Sequence, residues 1–236
     1  MSDVLLEVVV LHADDAQAAQ AGGADRLVVA GADGLSPATT AVSSVVRSTD
    51  LPVRALLRLD DRPSTHGVEL TRIVALAESF VSAGAEGMAC GFLDRDLEVD
   101  TEAMRVLAEA VAPAPMTFTA ALDFTLDRKR SWGHILQIPA VDAVLTAGSS
   151  QGVDAGLDQL RAEAADPRMR AVMMAGGALR AEHVPWLVQA GVRSFHLGTE
   201  VRPGGSWTKA YVDAGFVRSW RLLVDHALAR AAEPGA

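Results

Sequence analysis

A repeat of short apolar runs, alternating with helix-forming stretches, constrains this chain more than any other feature. The runs fall at residues 5–11, 26–30, 53–59, 88–92, 116–122, 141–146 and 171–175, and an eighth ends at Gly198. Each is too short for a helix and is bounded by glycine, proline or acidic residues, which reads as a strand. Between them, helical patterning runs from Asp14 or Asp15 to Gly22-Gly23, then over 37–47, 68–83, 101–112, 127–138, 157–165 and 182–190. A last helix is expected over 206–230, with Trp207, Tyr211, Trp220 and Leu223 as its buried stripe. Strand follows strand at roughly 21 to 31 residues, the length of one β-α unit. The expected fold is therefore α/β, a single (β/α)8 TIM barrel over residues 1–236. The alternative is a doubly wound open sheet. Its dinucleotide-binding form is disfavoured, because the first β-α turn, His12-Ala13-Asp14, lacks the glycine fingerprint. Aromatic residues are only 5% of a chain that is 50% hydrophobic, so the core must be Ala, Val and Leu, as buried parallel strands require.

Charge and cysteine content exclude several classes. The formal net charge of -9 argues against nucleic acid as a partner. The acidic start, Met1-Ser2-Asp3, lacks the basic and apolar segments of a signal peptide. No apolar stretch reaches the ~18 residues that span a bilayer. A cytoplasmic protein without membrane contact is expected. Cys90 is the single cysteine, so neither an internal disulfide nor a Cys-x-x-Cys motif exists. Lys129 and Lys209 are the only lysines, and both fall in expected helices, which argues against a strand-borne Schiff-base lysine.

In a barrel of this kind, site residues sit at the carboxyl ends of the strands and in the loops that follow. Glu7 interrupts the first apolar run, and a charge buried there needs a partner. Arg58, closing the third strand, is the expected one; the pair would bind ligand, act as acid and base, or be a structural ion pair. Asp123, after the fifth strand, would face the pocket or cap a turn. His196, near the end of the eighth, would bind a ligand, move a proton or fill the core. Gly148-Ser149, Gly176-Gly177 and Gly198-Thr199 end strands six, seven and eight. As rim neighbours they form a candidate site for a small anion, or else simply make tight turns. Met88, Met116, Met173 and Met174 accompany Cys90 in the strands; soft ligands of this kind suit Cu(I), but strand methionines usually fill core space. No His-Glu-x-x-His helix or Walker loop is present.

Several short motifs, in order, resemble the CutC family of copper homeostasis proteins. They are Leu6-Glu7-Val8, Gly22-Gly23-Ala24-Asp25-Arg26-Leu27, Gly34-Leu35-Ser36-Pro37, Arg58, Thr117-Phe118 with Asp123, Leu145-Thr146 with Gly148, Met174 with Gly176-Gly177, and Phe195-His196. The resemblance covers about residues 5 to 198 and implies a single-domain barrel and a role in handling copper. The chain departs from the family pattern at Val9, where members carry Cys, at Val28-Val29-Ala30, which lacks the family's Glu and Cys, and at Asp60, Thr119-Ala120 and Ala178. It looks like a divergent member. Three functions are carried forward: copper handling by resemblance; an enzyme or binding protein for a small phosphorylated or carboxylated metabolite; and a degenerate, non-catalytic barrel acting by association. A small anion or a metal ion is the expected partner, together with self-association. No resident cofactor is assigned, and copper follows from the resemblance alone.

Overall fold

The computed structural model describes residues 4–60, 67–207 and 210–233. Its eight strands close into a parallel barrel in chain order, each pairing with the next and the last with the first. They are β1 Leu5–Val10, β2 Arg26–Val29, β3 Val53–Leu56, β4 Gly87–Cys90, β5 Met116–Phe118, β6 Val141–Thr146, β7 Met173–Ala175 and β8 Ser194–Leu197. The expected (β/α)8 barrel is thus the observed fold, and the open sheet is not. The helices between strands are α1 Ala13–Gly22, α2 Thr39–Val46, α3 Gly67–Ser82, α4 Thr101–Val111, α5 Arg128–Ile135, α6 Val153–Glu163, α7 Pro167–Val172 and α8 His183–Gln189. A ninth helix, α9 Ala214–Ala231, packs on α1 and α8.

Side-chain alternation sorts the strand residues into two sets. Leu6, Val8, Leu27, Val29, Met88, Cys90, Met116, Phe118, Met173, Phe195 and Leu197 point outward and form one apolar layer with the helices. This layer is apolar throughout and continuous around the ring. Burying it drives closure, at roughly 25 cal/mol for each Å² of apolar surface removed from water. The inward set is smaller and more polar: Glu7 and Val9, Arg26 and Val28, Arg54, Ala89, Thr117 and Met174. Near the amino ends of the strands, the Arg54 guanidinium is 1% exposed and makes two hydrogen bonds to Asp142 on β6. That end of the barrel is therefore closed by a charge pair.

Three expectations about elements are corrected. Residues 171–172 are the end of a short helix, α7, rather than the start of a strand; Asp166 caps it and Pro167 opens it. The fifth strand stops at Phe118, and Ala120–Phe124 is a 3-10 turn. The last helix begins at Ala214, not at 206, because Asp213 provides its cap by accepting from the Phe216 N–H. The stretch before it is instead pinned to the barrel. Arg202, wholly buried, donates to Asp15 at 2.7 Å, and the Val212 N–H donates to the same carboxylate at 2.8 Å. Asp15 is therefore an anchor, and the side-chain cap of α1 is His12. Part of the expected 60–67 loop, Met1-Ser2-Asp3, Lys209 and the last three residues lie outside the described residues.

Candidate functional site

Glu7, Arg26 and His196 lie on one rung of the ring. Glu7 is in register with Arg26 on β2 and with His196 on β8. Neighbours in register on a parallel sheet share a face, so all three side chains enter the barrel. Arg26 Nε donates to Glu7 Oε2 at 2.6 Å, and His196 Nδ1 stands 2.8 Å from Oε1. The Glu7 side chain is 1% exposed and that of His196 15%. Burial pushes the Glu7 carboxyl up, but the hydrogen bond from His196 and the positive charge of Arg26 outweigh it, leaving it lowered to about 2. An ionised carboxylate can only accept, so His196 must donate through Nδ1. In the neutral ring Nε2 then carries the lone pair, and it has no partner among the described residues. Gly176, ending β7, makes this placement sterically feasible: a Cβ there would stand 2.8 Å from the His196 Cβ.

Above this rung the barrel opens into a cavity of about 360 Å³. Its walls are mostly apolar: Val9, Val28, Leu56, Ala89, Leu145 and Trp207. Small residues on β4 leave the space unfilled. Thr117 and Thr119 add hydroxyls, and Arg58, Asp60 and Glu69 line its polar part. Trp207 is held by the buried Arg202, whose guanidinium lies 5.3 Å from the indole centroid.

The expected site residues divide accordingly. Glu7 and His196 stand together at the base of the cavity. Arg58 borders the cavity but is not the partner of Glu7; its Nε donates to the Asp60 carbonyl at 3.0 Å. Arg26 holds that place because it is next to Glu7 in register, whereas Arg58 lies beyond the end of β3.

Asp123 does not border the cavity. It accepts from Thr146 Oγ1 at 2.6 Å, the Ala147 N–H at 2.8 Å and Arg128 at 2.8 Å. It fastens the loop after β6, which is the capping role.

The six rim residues do not line the cavity either. The Gly148 N–H donates to Thr146 Oγ1, Ser149 Oγ accepts from the Gln151 N–H, and the Gly176 N–H donates to the Thr146 carbonyl. The Gly177 and Thr199 carbonyls accept from the Val153 and Arg202 N–H groups. The Gly198 N–H donates to Glu200. Gly148 is required where it stands: its φ is +78°, and an added Cβ would lie 2.3 Å from the Gly156 carbonyl oxygen. Of the expected cradle's N–H groups, those of Gly148, Gly176 and Gly198 are thus engaged within the chain.

Soft metal donors are equally committed. Cys90 is fully buried in the strand–helix layer, and burial pushes its thiol up to about 12. Met88, Met116 and Met173 share that layer, and Met174 sulfur lies 3.6 Å from Arg26 Nη2. A resident copper ion does not fit this donor set. Among the described residues, Asp154, Glu182 and His183 form the one cluster with metal-ligand spacing, and Arg180 already pairs with both of its carboxylates. No helix of the described residues is long and apolar enough to cross a membrane.

The family model "CutC family" matches residues 4–201, from the first strand through the turn after the eighth. The chain belongs to the CutC family. Among curated proteins, a CutC family protein of Klebsiella pneumoniae (strain 342) is 28% identical over 199 residues, covering 81% of this chain and 78% of that protein. One of Enterobacter sp. (strain 638) is 27% identical over 213 residues, covering 86% and 81%. The copper homeostasis protein CutC of Streptococcus agalactiae superposes with a TM-score of 0.73 at 21% identity, over 83% of this chain and 98% of that one. A thiamine phosphate pyrophosphorylase from Pyrococcus furiosus superposes at 0.55 and 15% identity, over 98% of each chain. At these identities the structural likenesses bear on the barrel fold alone. In this CutC-family chain, Glu7, Arg26 and His196 all fall inside the matched region.

Arg26, Arg54, Thr117 and Trp207 were not singled out as site residues by the patterns above. A charge opening an otherwise apolar strand was available as a signal for Arg26. Trp207, expected in the buried stripe of the last helix, lies before that helix and reaches the cavity through the strap that Arg202 anchors.

Proposed function

We propose that the barrel mouth binds a small, mostly apolar molecule and that His196 is the acid/base group that meets it. The observation carrying this reading is the Glu7–His196 contact at the base of an apolar cavity, with Nε2 unpartnered among the described residues. The cavity lies at the small end of the roughly 300–1,000 Å³ range of ligand pockets. His196 and Arg26 together keep Glu7 ionised, and Glu7 fixes the imidazole and stabilises it when protonated. A bound hydroxyl or enol hydrogen directed at Nε2 would hydrogen-bond to that nitrogen and pass to it as its oxygen forms a new bond, a step worth ~10²–10⁴ in rate where general-base catalysis applies. The apolar walls supply most of the binding, and Nε2 orients the polar end.

The copper homeostasis role in the streptococcal relative's name suggests a second reading, with copper as cargo. The donor set argues against it, because the thiol and three of the methionines are enclosed between strands and helices. One experiment separates the two. Thermal-shift screening against uncharged aromatic and aliphatic metabolites should find ligands that stabilise the wild type. Ala89→Trp, which fills the mouth, should abolish their effect, and His196→Asn should weaken it. Hits that survive Ala89→Trp, or tight 1:1 Cu(I) binding in the absence of any hit, would reject the mouth as the site.

A further inference from the structure

In many barrels of this architecture, the loops after the seventh and eighth strands bind phosphate through backbone N–H groups. Here the corresponding N–H groups converge on a carboxylate of the chain itself. The Gly198 N–H, directly after β8, donates to Glu200 Oε2 at 2.6 Å. The Leu179 N–H, in the loop after β7, donates to Oε1 at 3.1 Å. The two donors come from different loops, 19 positions apart by number, so this is more than the local capping of one turn. The β7 loop is shaped for it. Gly177 and Ala178 have φ of +96° and +55°, and Ala178 is one of two non-glycine residues with positive φ among those described. Consecutive residues of this kind turn successive N–H groups toward one side, the geometry that concentrates anions. For alanine such a conformation is strained. The position also adjoins the mouth, since a Cβ on Gly198 would lie 3.5 Å from Trp207 and 3.9 Å from Val9.

We infer that Glu200 is a specificity-determining residue: its carboxylate occupies the barrel's anion position and excludes ligands bearing a phosphoryl group from the mouth. This rests on the mouth being the ligand site and narrows the ligand to a non-phosphorylated one. A phosphoryl group approaching Gly198 and Leu179 would have to displace an anion tethered to the same chain, and would meet its charge in doing so. The Gly198 and Leu179 N–H groups are thus placed for a phosphate, while the side chain two positions beyond Gly198 closes the position.

Inorganic phosphate is the probe. Wild-type protein, E200A and E200S are titrated with phosphate against chloride at matched ionic strength, following melting temperature and the amide resonances of Leu179 and Gly198. Near-UV circular dichroism establishes that each variant is folded. The wild type should not respond. A folded variant with the position vacated should gain phosphate affinity of at least about tenfold, with both amides shifting. Folded variants that gain none, or a wild type whose two amides already shift on phosphate, would overturn the inference. No mouth ligand is needed for this readout. A failed Ala89→Trp screen with phosphate gained by E200A would therefore reject the binding site and leave the anion plug standing.

Discussion

His196 Nδ1 lies 2.8 Å from Glu7 Oε1, joining the last strand of the ring to the first across the seam where the barrel closes. The contact ties the fold to its chemistry. Ring closure brings the imidazole to the carboxylate, and the carboxylate decides which ring nitrogen faces the cavity.

Long-range ¹H–¹⁵N NMR at neutral pH should accordingly detect His196 as the Nδ1-protonated tautomer. In Glu7→Gln that preference should weaken or vanish, since the amide can donate as well as accept. A wild-type ring protonated chiefly at Nε2 would contradict the assignment.

Glu7 also links stability to acidity. Its carboxyl is at about 2 in the folded protein against an ordinary 4.5, so the folded state binds fewer protons than the unfolded chain between those values. The sign follows: this stabilisation is fully present above about pH 4.5 and is lost as the pH falls through about 2. Urea unfolding across the acid range should be less steeply pH-dependent in Glu7→Gln than in the wild type. Equal slopes would mean that other groups carry the acid sensitivity.

At the opposite end of the cavity axis, Arg54 is buried and its Asp142 partner is 47% exposed on its side chain. Asp142→Ala leaves a buried guanidinium without its carboxylate, and should destabilise the protein by about 1–3 kcal/mol, less than for a wholly buried pair. Asp142→Asn, which keeps an acceptor, should lose less. Chemical denaturation midpoints give the comparison.

Gly148→Ala adds a methyl group at positive φ within 2.3 Å of a carbonyl oxygen. A loss of about 2 kcal/mol or more is expected. The same assay reads it, and a neutral effect would show that the loop after β6 can move away from α6.

Cys90 should resist thiol reagents while the protein is folded, because it is fully buried and its thiol lies at about 12. Labelling with a disulfide reagent should track global unfolding by circular dichroism. Rapid labelling under native conditions would place the thiol within reach of solvent, and of copper.

Much of the fold was legible in the sequence for one physical reason. Each strand needs an apolar outward face and each helix a complementary stripe, and those demands are local and periodic. Eight runs such as 5–11 and 141–146 therefore announced a ring, and Glu7 stood out as a charge inside one of them. What the pattern could not reveal was which side chain meets which. Strand register around a closed barrel sets Arg26, not Arg58, beside Glu7. For Asp123 the sequence left pocket and cap open, and the neighbouring β6 loop supplies donors to its carboxylate. The glycine turns were equally silent about Glu200, because a backbone N–H that can hold a phosphate is indistinguishable in sequence from one already holding a carboxylate. Local chemistry determined the elements of this protein; three-dimensional closure, which brings residue 196 to residue 7, decided its site.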